Sequence, residues 1–139
     1  MKRKMYGVIG LGHFGSELCQ VLMQNGHDIL AIDYDEGKIQ RYHALTTQSF
    51  QLDATDEEAL QRTGILNVDH VIVALGDRIE DSLIVAMYLS ERDVRFSVKA
   101  VHARHRKLLM RIGVEDILEP EKEMIQHYAA RWSTVELHS

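Results

Sequence analysis

Three glycines stand close together in "YGVIGLGHFGSELCQVLM", residues 6–23: Gly10, Gly12 and Gly15. Their GxGxxG spacing falls between an apolar run and a helix-like pattern, the setting in which the motif is informative. Each bare position has a physical use. Gly10 permits a tight turn, Gly12 leaves room for a pyrophosphate to reach the main chain, and Gly15 lets the following helix pack closely on the strand. The unpaired N–H groups at the helix start sit at the positive end of its dipole and attract phosphate. Asp33 ends a second apolar run, about 20 residues further on, where an acid accepts hydrogen bonds from ribose hydroxyls. The same carboxylate repels a 2′-phosphate, so NADP is disfavoured. Loop, strand, helix and acid in this register predict nucleotide binding; a plain strand-turn-helix with a capping aspartate is the alternative.

Other residues could carry chemistry. Cys19 is the one cysteine, which excludes an internal disulfide framework. It lies in the helical run after the glycines with nothing near it in sequence to activate it, so a packed, inert thiol is expected. Of the eight histidines, only His102 and His105 are close, at i,i+3 on a helix start. No carboxylate or cysteine joins them at ligand spacing, which predicts a solvated helix end and no metal. Asp77, Asp81 and Ser82 follow a strand at the mouth of the predicted cleft; a catalytic acid could sit there, and so could a helix N-cap. Lys99 lies near a strand end. Burying a lysine costs several kcal/mol unless it is paired, so it either reaches solvent or meets an acid or a phosphate, Glu121 being one acid available to it.

The elements that must position these groups alternate along the whole chain. Short β-type runs at 5–9, 28–33, 48–53, 69–75, 96–101 and 115–120 read as strands, 28–33 apolar almost throughout and 69–75 the clearest. Between them, Phe14, Leu18, Val21 and Leu22 recur at helical spacing, as do Ile79, Leu83, Ala86 and Met87, then Leu108, Leu109 and Ile112. Residues 35–45 read as a helix weakened by Gly37, and a further helix opens at Thr55 or Asp56 and ends at Gly64. Pro120 suits the first turn of a last helix with Met124, Ile125, Tyr128, Ala129 and Trp132 on one face. The expected fold is α/β: a Rossmann-like, doubly wound, mostly parallel six-stranded sheet with helices on both faces.

Composition narrows the function. The net charge is −5 and no basic stripe carries interleaved aromatics, which speaks against nucleic acid. A single proline argues against long disordered linkers. The basic start "MKRKMYGVIG" lacks a long apolar segment and a cleavage site, so no signal peptide is expected. No apolar run is long enough to cross a bilayer, so no direct membrane insertion is expected. These readings, with the lone cysteine, fit a reducing cytoplasm.

The chain as a whole resembles a known family. "GLGHFGSELCQVLMQNGHDILAID", followed by "LDAT" (52–55), "VIVALGD" (71–77), "VKA" (98–100) and "LEPEKEM" (118–124), is similar to the nucleotide-binding KTN domain, or RCK N-terminal lobe (TrkA-N), of the cytoplasmic regulatory subunits of Trk/Ktr-type potassium-uptake systems. The resemblance implies one nucleotide-binding domain over 1–139, with the family's smaller C-terminal lobe absent from this chain. It implies an adenine nucleotide, NAD(H) or ATP/ADP/AMP, held by Gly10, Leu11, Gly12, His13, Phe14 and Gly15 at the phosphates and by Asp33, followed by Tyr34, at the ribose. Asp53, Ala54 and Thr55 would contact adenine, and Ala74, Leu75 and Gly76 would lie against the nucleotide. Lys99 and Glu121 match positions near the phosphates and a dimer interface. His13 stands where several ATP-responsive members carry arginine, and neutral histidine lacks a bidentate fork for a terminal phosphate; this favours NAD(H), ADP or AMP.

The resemblance further implies a homodimer assembling into a ring beneath a membrane potassium transporter subunit, with nucleotide exchange gating ion flow rather than catalysis. The basic stretch "HARHRK", 102–107, is then either a solvated face or a contact for phosphates or an acidic transporter loop. The last helix either caps its own sheet or packs on a partner subunit. A small NAD-dependent oxidoreductase and a nucleotide-binding module of another pathway are the alternatives. No Ser–Tyr–Lys or His–Asp set remains in the sequence beside the predicted nicotinamide site, and six βα units leave little chain for a substrate domain.

Overall fold

The computed structural model describes the backbone of residues 2–138 and the side chains of residues 2–134. Strand β2 (Asp28–Asp33) shows how the sheet is covered. Its side chains alternate between two clusters: Ile29 and Ala31 join Val8, Leu11 and Cys19, whereas Leu30 and Ile32 join Ile9, Leu60 and Val73. A strand buried on both faces must be apolar nearly throughout, which is what made this run legible as sequence. The remaining strands are β1 (Met5–Ile9), β3 (Gln48–Gln51), β4 (His70–Val73), β5 (Phe96–Lys99) and β6 (Ile117–Leu118). They form one sheet in the order β3-β2-β1-β4-β5-β6, and all five pairings are parallel. The expected doubly wound fold is therefore present.

Parallel neighbours need crossovers, and helices supply them. Helix α1 (His13–Gln24) joins β1 to β2, and α2 (Glu36–Arg41) joins β2 to β3. Both lie over the cluster that holds Cys19, where Leu22, Met23, Ile39 and Tyr42 pack. Helix α3 (Glu57–Arg62) carries the chain back across the sheet to β4, and α4 (Ile79–Ser90) and α5 (Ala103–Arg111) complete the second half. Leu60, Val85, Leu89 and Leu109 from these three helices fill the larger cluster on the opposite face. Strand order reverses between β1 and β4, the switch point at which ligands of such sheets bind.

The structure corrects several local expectations. The helix expected over 35–45 stops at Arg41, and a separate 3-10 turn follows at His43–Leu45. Tyr42 and Leu45 turn inward onto the Cys19 cluster there. Helix α3 is capped by Asp56, whose side chain accepts the Ala59 N–H, while Thr55 bonds to Asp53 instead. No side chain caps α4; Asp81 pairs with Arg78 and Ser82 is buried. Met87, expected on the packed face of that helix, is 49% exposed, and Val85, Ala86 and Leu89 take the core positions.

His105 is not at a solvated helix end. Its ring is fully buried, with Nδ1 accepting the Val101 N–H and Nε2 bonded to Ser82 Oγ. His102 fits the expectation better: it is exposed and its ring nitrogen caps α5. The final helix α6 (Pro120–His138) is exposed along residues 121–134. Along these described residues it does not cap its own sheet.

Candidate functional site

The glycine loop joins β1 to α1 at the switch point. Gly10 has φ +106°, and a Cβ built there would lie 2.0 Å from the Ala74 carbonyl oxygen. The turn thus needs both the left-handed backbone that glycine accepts and the close approach of β1 to the end of β4. A Cβ on Gly15 would lie 1.9 Å from the Gly10 carbonyl oxygen, so α1 can start this close to the loop only without a side chain there. Gly12 differs: a Cβ there would meet nothing within 4 Å. It faces open cleft, and its bareness serves space outside the protein's own packing.

Gly12 is also the N-cap of α1. It gives no side-chain cap, and the first turn of the helix holds no acidic residue. The donors at the start of a helix are normally met by a cap, by water or by a ligand. Asp33 stands at the neighbouring strand end. Its Oδ2 accepts the Leu11 N–H at 2.7 Å and its Oδ1 accepts the Asp35 N–H at 2.8 Å. Two backbone donors therefore fix the carboxylate, and each oxygen keeps acceptor capacity for a sugar hydroxyl.

Around this pair the chain closes a cleft of about 280 Å³ lined by Gly10, Gly12, His13, Phe14, Gly15, Asp33, Tyr34, Lys38, Ala74, Leu75, Gly76, Asp77, Arg78 and Lys99. Eleven of these are residues that the sequence singles out for binding. Leu11 takes part differently: its side chain is buried in the core, and only its N–H reaches Asp33. Beyond Asp33 the cleft continues into a smaller apolar pocket where Asp53, Ala54 and Thr55 meet Ile9, Ile32, Leu52 and Leu75. Asp53 holds its place through the Thr55 N–H and hydroxyl, at 2.9 and 2.7 Å. Those two bonds to the charged form hold its carboxyl below the usual carboxylate range.

Glu121 stands apart. It lines a separate groove between α5 and α6, of about 680 Å³, whose wall includes Lys99. The Lys99 ammonium does not meet the Glu121 carboxylate; it lies 5.6 Å from the centroid of the Phe14 ring, over its face. Two cations of the cleft, Lys38 and Arg78, escaped the sequence reading. Lys38 comes from the short helix α2, and its only signal is its place five residues after Asp33. Arg78 follows "ALGD" and is brought to the site by the β4–α4 turn.

Cys19 is buried, and burial pushes its thiol up to about 12, so it stays protonated and unreactive. His102 and His105 belong to no group of three or more metal-ligating side chains among the described residues. The arrangement as a whole brings main-chain donors, a fixed acceptor and a small apolar pocket to adjoining parts of one crevice. Its open part suits a phosphate and a ribose, while the apolar pocket beyond holds only about 10 Å³ of free space.

A family model described as "TrkA-N domain" matches residues 6–120. Ktr system potassium uptake protein C of Bacillus subtilis (strain 168) is 38% identical over 128 residues, covering 91% of this chain and 58% of that protein. The chain thus spans little more than half the length of that relative. Among solved structures, the NAD(P)-binding domain of an exopolyphosphatase-related protein from Archaeoglobus fulgidus aligns with a TM-score of 0.78 at 22% identity, over 95% of this chain and 99% of that one. The GsuK channel bound to NAD aligns with a TM-score of 0.72 at 12% identity, over 84% of this chain and 21% of that one. Both structural likenesses are likenesses of fold.

Proposed function

The chain belongs to the TrkA-N domain family, and on that premise we propose that it is a nucleotide-sensing regulatory domain acting on a potassium-transport system. The ligand is an adenine nucleotide, NAD(H) or ATP/ADP/AMP. The observation that carries this reading is the uncapped start of α1 at Gly12, open to the cleft and facing the fixed carboxylate of Asp33. Anion-attracting amides and a sugar-binding acid share one crevice. His13 in the loop supports NAD(H), ADP or AMP over a ligand that needs a guanidinium at its terminal phosphate. Asp33 supports NAD over NADP.

In this reading the nucleotide is a signal. A sensor must bind its ligands with different affinity in two states, since equal affinity shifts no population. The domain acts as a homodimer, within a ring on the cytoplasmic side of a membrane transporter subunit. The exposed face of α6, with Met124, Ile125, Tyr128 and Trp132, supports association with a second copy. Apolar side chains of this size contribute about 1.5–3 kcal/mol each when fully buried.

Thermal unfolding of the pure protein with NADH, NAD, ATP and ADP tests the proposal. At least two of the four are expected to raise Tm by different amounts. Identical shifts for all four would remove the sensing claim, and no shift with any of them would remove nucleotide binding. Steady hydride transfer from NADH to a small carbonyl compound would favour an oxidoreductase.

A further inference from the structure

The cleft and the smaller apolar pocket share four wall residues: Asp33, Tyr34, Leu75 and Arg78. Two of them face each other across the mouth. Tyr34 follows β2 and is 58% exposed. Arg78 follows β4, and its guanidinium lies over that ring, 5.8 Å from the centroid. A second contact, the ion pair of the guanidinium with Asp81 on the first turn of α4, helps hold it in place. The two residues therefore strap together loops from the two halves of the sheet, directly above the pocket.

The strap has a consequence for size. The pocket floor is apolar, formed by Ile9, Ile32, Leu52, Ala54 and Leu75. Yet the space within is only about 10 Å³, enough for about one water molecule at most. A flat heterocycle enters only if the strap opens. A guanidinium is planar, weakly hydrated and stacks on π-faces, and a purine offers a larger face than the Tyr34 phenol. We infer that Arg78 and Tyr34 form a base clamp: an entering purine takes the place of the Tyr34 ring against the Arg78 guanidinium, and Asp81 holds that guanidinium in position. Arg78 then adds affinity for ligands bearing a purine, beside the contacts of Asp53, Ala54 and Thr55. This inference rests on the nucleotide reading above and adds a role that the glycine loop and Asp33 do not supply.

Calorimetric titration with ADP tests it, using the wild type, Arg78→Ala, Arg78→Lys and Asp33→Ala at low and high salt. The Arg78 side chain is 47% exposed, so both substitutions leave the fold intact, and matched melting curves verify this. Loss of guanidinium stacking weakens ADP by about five- to ten-fold in Arg78→Ala. Arg78→Lys keeps the charge without the plane and shows nearly the same loss, and the ratio to wild type is alike at both salt concentrations. An Arg78→Lys affinity equal to wild type, or a loss that vanishes at high salt, would mean a plain charge contact to phosphate and overturn the clamp. Unchanged affinity in both Arg78 variants, with Asp33→Ala weakened, would overturn the clamp and leave the nucleotide reading standing. Absence of ADP binding by the wild type, with none for NADH either, would overturn both.

Discussion

At the scale of single residues, the three glycines divide by what a methyl group would meet. Gly10→Ala places a Cβ against the Ala74 carbonyl in a left-handed backbone. It is expected to lower stability by about 1–3 kcal/mol, read as a fall in the denaturation midpoint. Gly12→Ala meets no protein atom within 4 Å, so its stability stays near wild type while nucleotide affinity falls. A Gly12→Ala protein that binds ADP as well as wild type would take the phosphates away from this loop. Asp33→Ala removes a charged acceptor and is expected to weaken ADP by about 1–3 kcal/mol in calorimetry. These residues were legible in the sequence because phosphate and ribose chemistry demands particular types at fixed spacing. Arg78 and Lys38 were not, because nothing local marks them; they reach the cleft through the turns that follow β4 and β2. His105 was misread for the same reason. Its partner Ser82 lies 23 residues away, and no i,i+3 pattern reveals a contact between helices.

At the scale of elements, that buried histidine ties α4 to α5 and to the backbone at Val101. Burial, then the nearby His102 and Lys99, lower the His105 pKa below its ordinary value. His70 is shifted the same way, chiefly by burial. A histidine lowered in the folded state takes up its proton more readily when unfolded, so its contribution to stability is full above about pH 6.5 and is lost as pH falls through the folded value. Tm is therefore expected to drop between pH 7 and pH 5, and His105→Gln is expected to flatten that slope; an unaltered slope would remove His105 as a cause.

The central strands β1, β2 and β4 were readable because apolar runs are required where both sheet faces are covered, whereas the edge strand β3 is polar and mostly exposed. Strand ends were not, because the neighbour's hydrogen bonds decide where pairing stops: β6 pairs over only two residues, Ile117 and Leu118. The apolar stripe of α6 was equally legible, whereas its partner was not. Tyr128 and Trp132 stack at 5.6 Å between ring centroids, and Trp132 remains 57% exposed. Under the proposed dimer, Trp132→Asp shifts the sedimentation profile to monomer with little change in the monomer's own melting. A profile unchanged from wild type would place the interface elsewhere.

At the scale of the molecule, one topological fact organises the site. With β1 and β4 adjacent and their crossovers on opposite faces, the loops after β1, β2 and β4 open at the same edge of the sheet. That edge gathers the glycine loop, Asp33, Tyr34 and Arg78 from residues far apart in sequence, and the alternation of strands and helices was enough to anticipate it. The most direct measurement is a crystal structure of the protein with ADP or NADH at saturating concentration. Density for the diphosphate is expected on the amides of the loop between Gly12 and Gly15, with ribose hydroxyls on the Asp33 carboxylate. Ligand density at any other place on the chain, with this crevice closed by its own side chains, would contradict it.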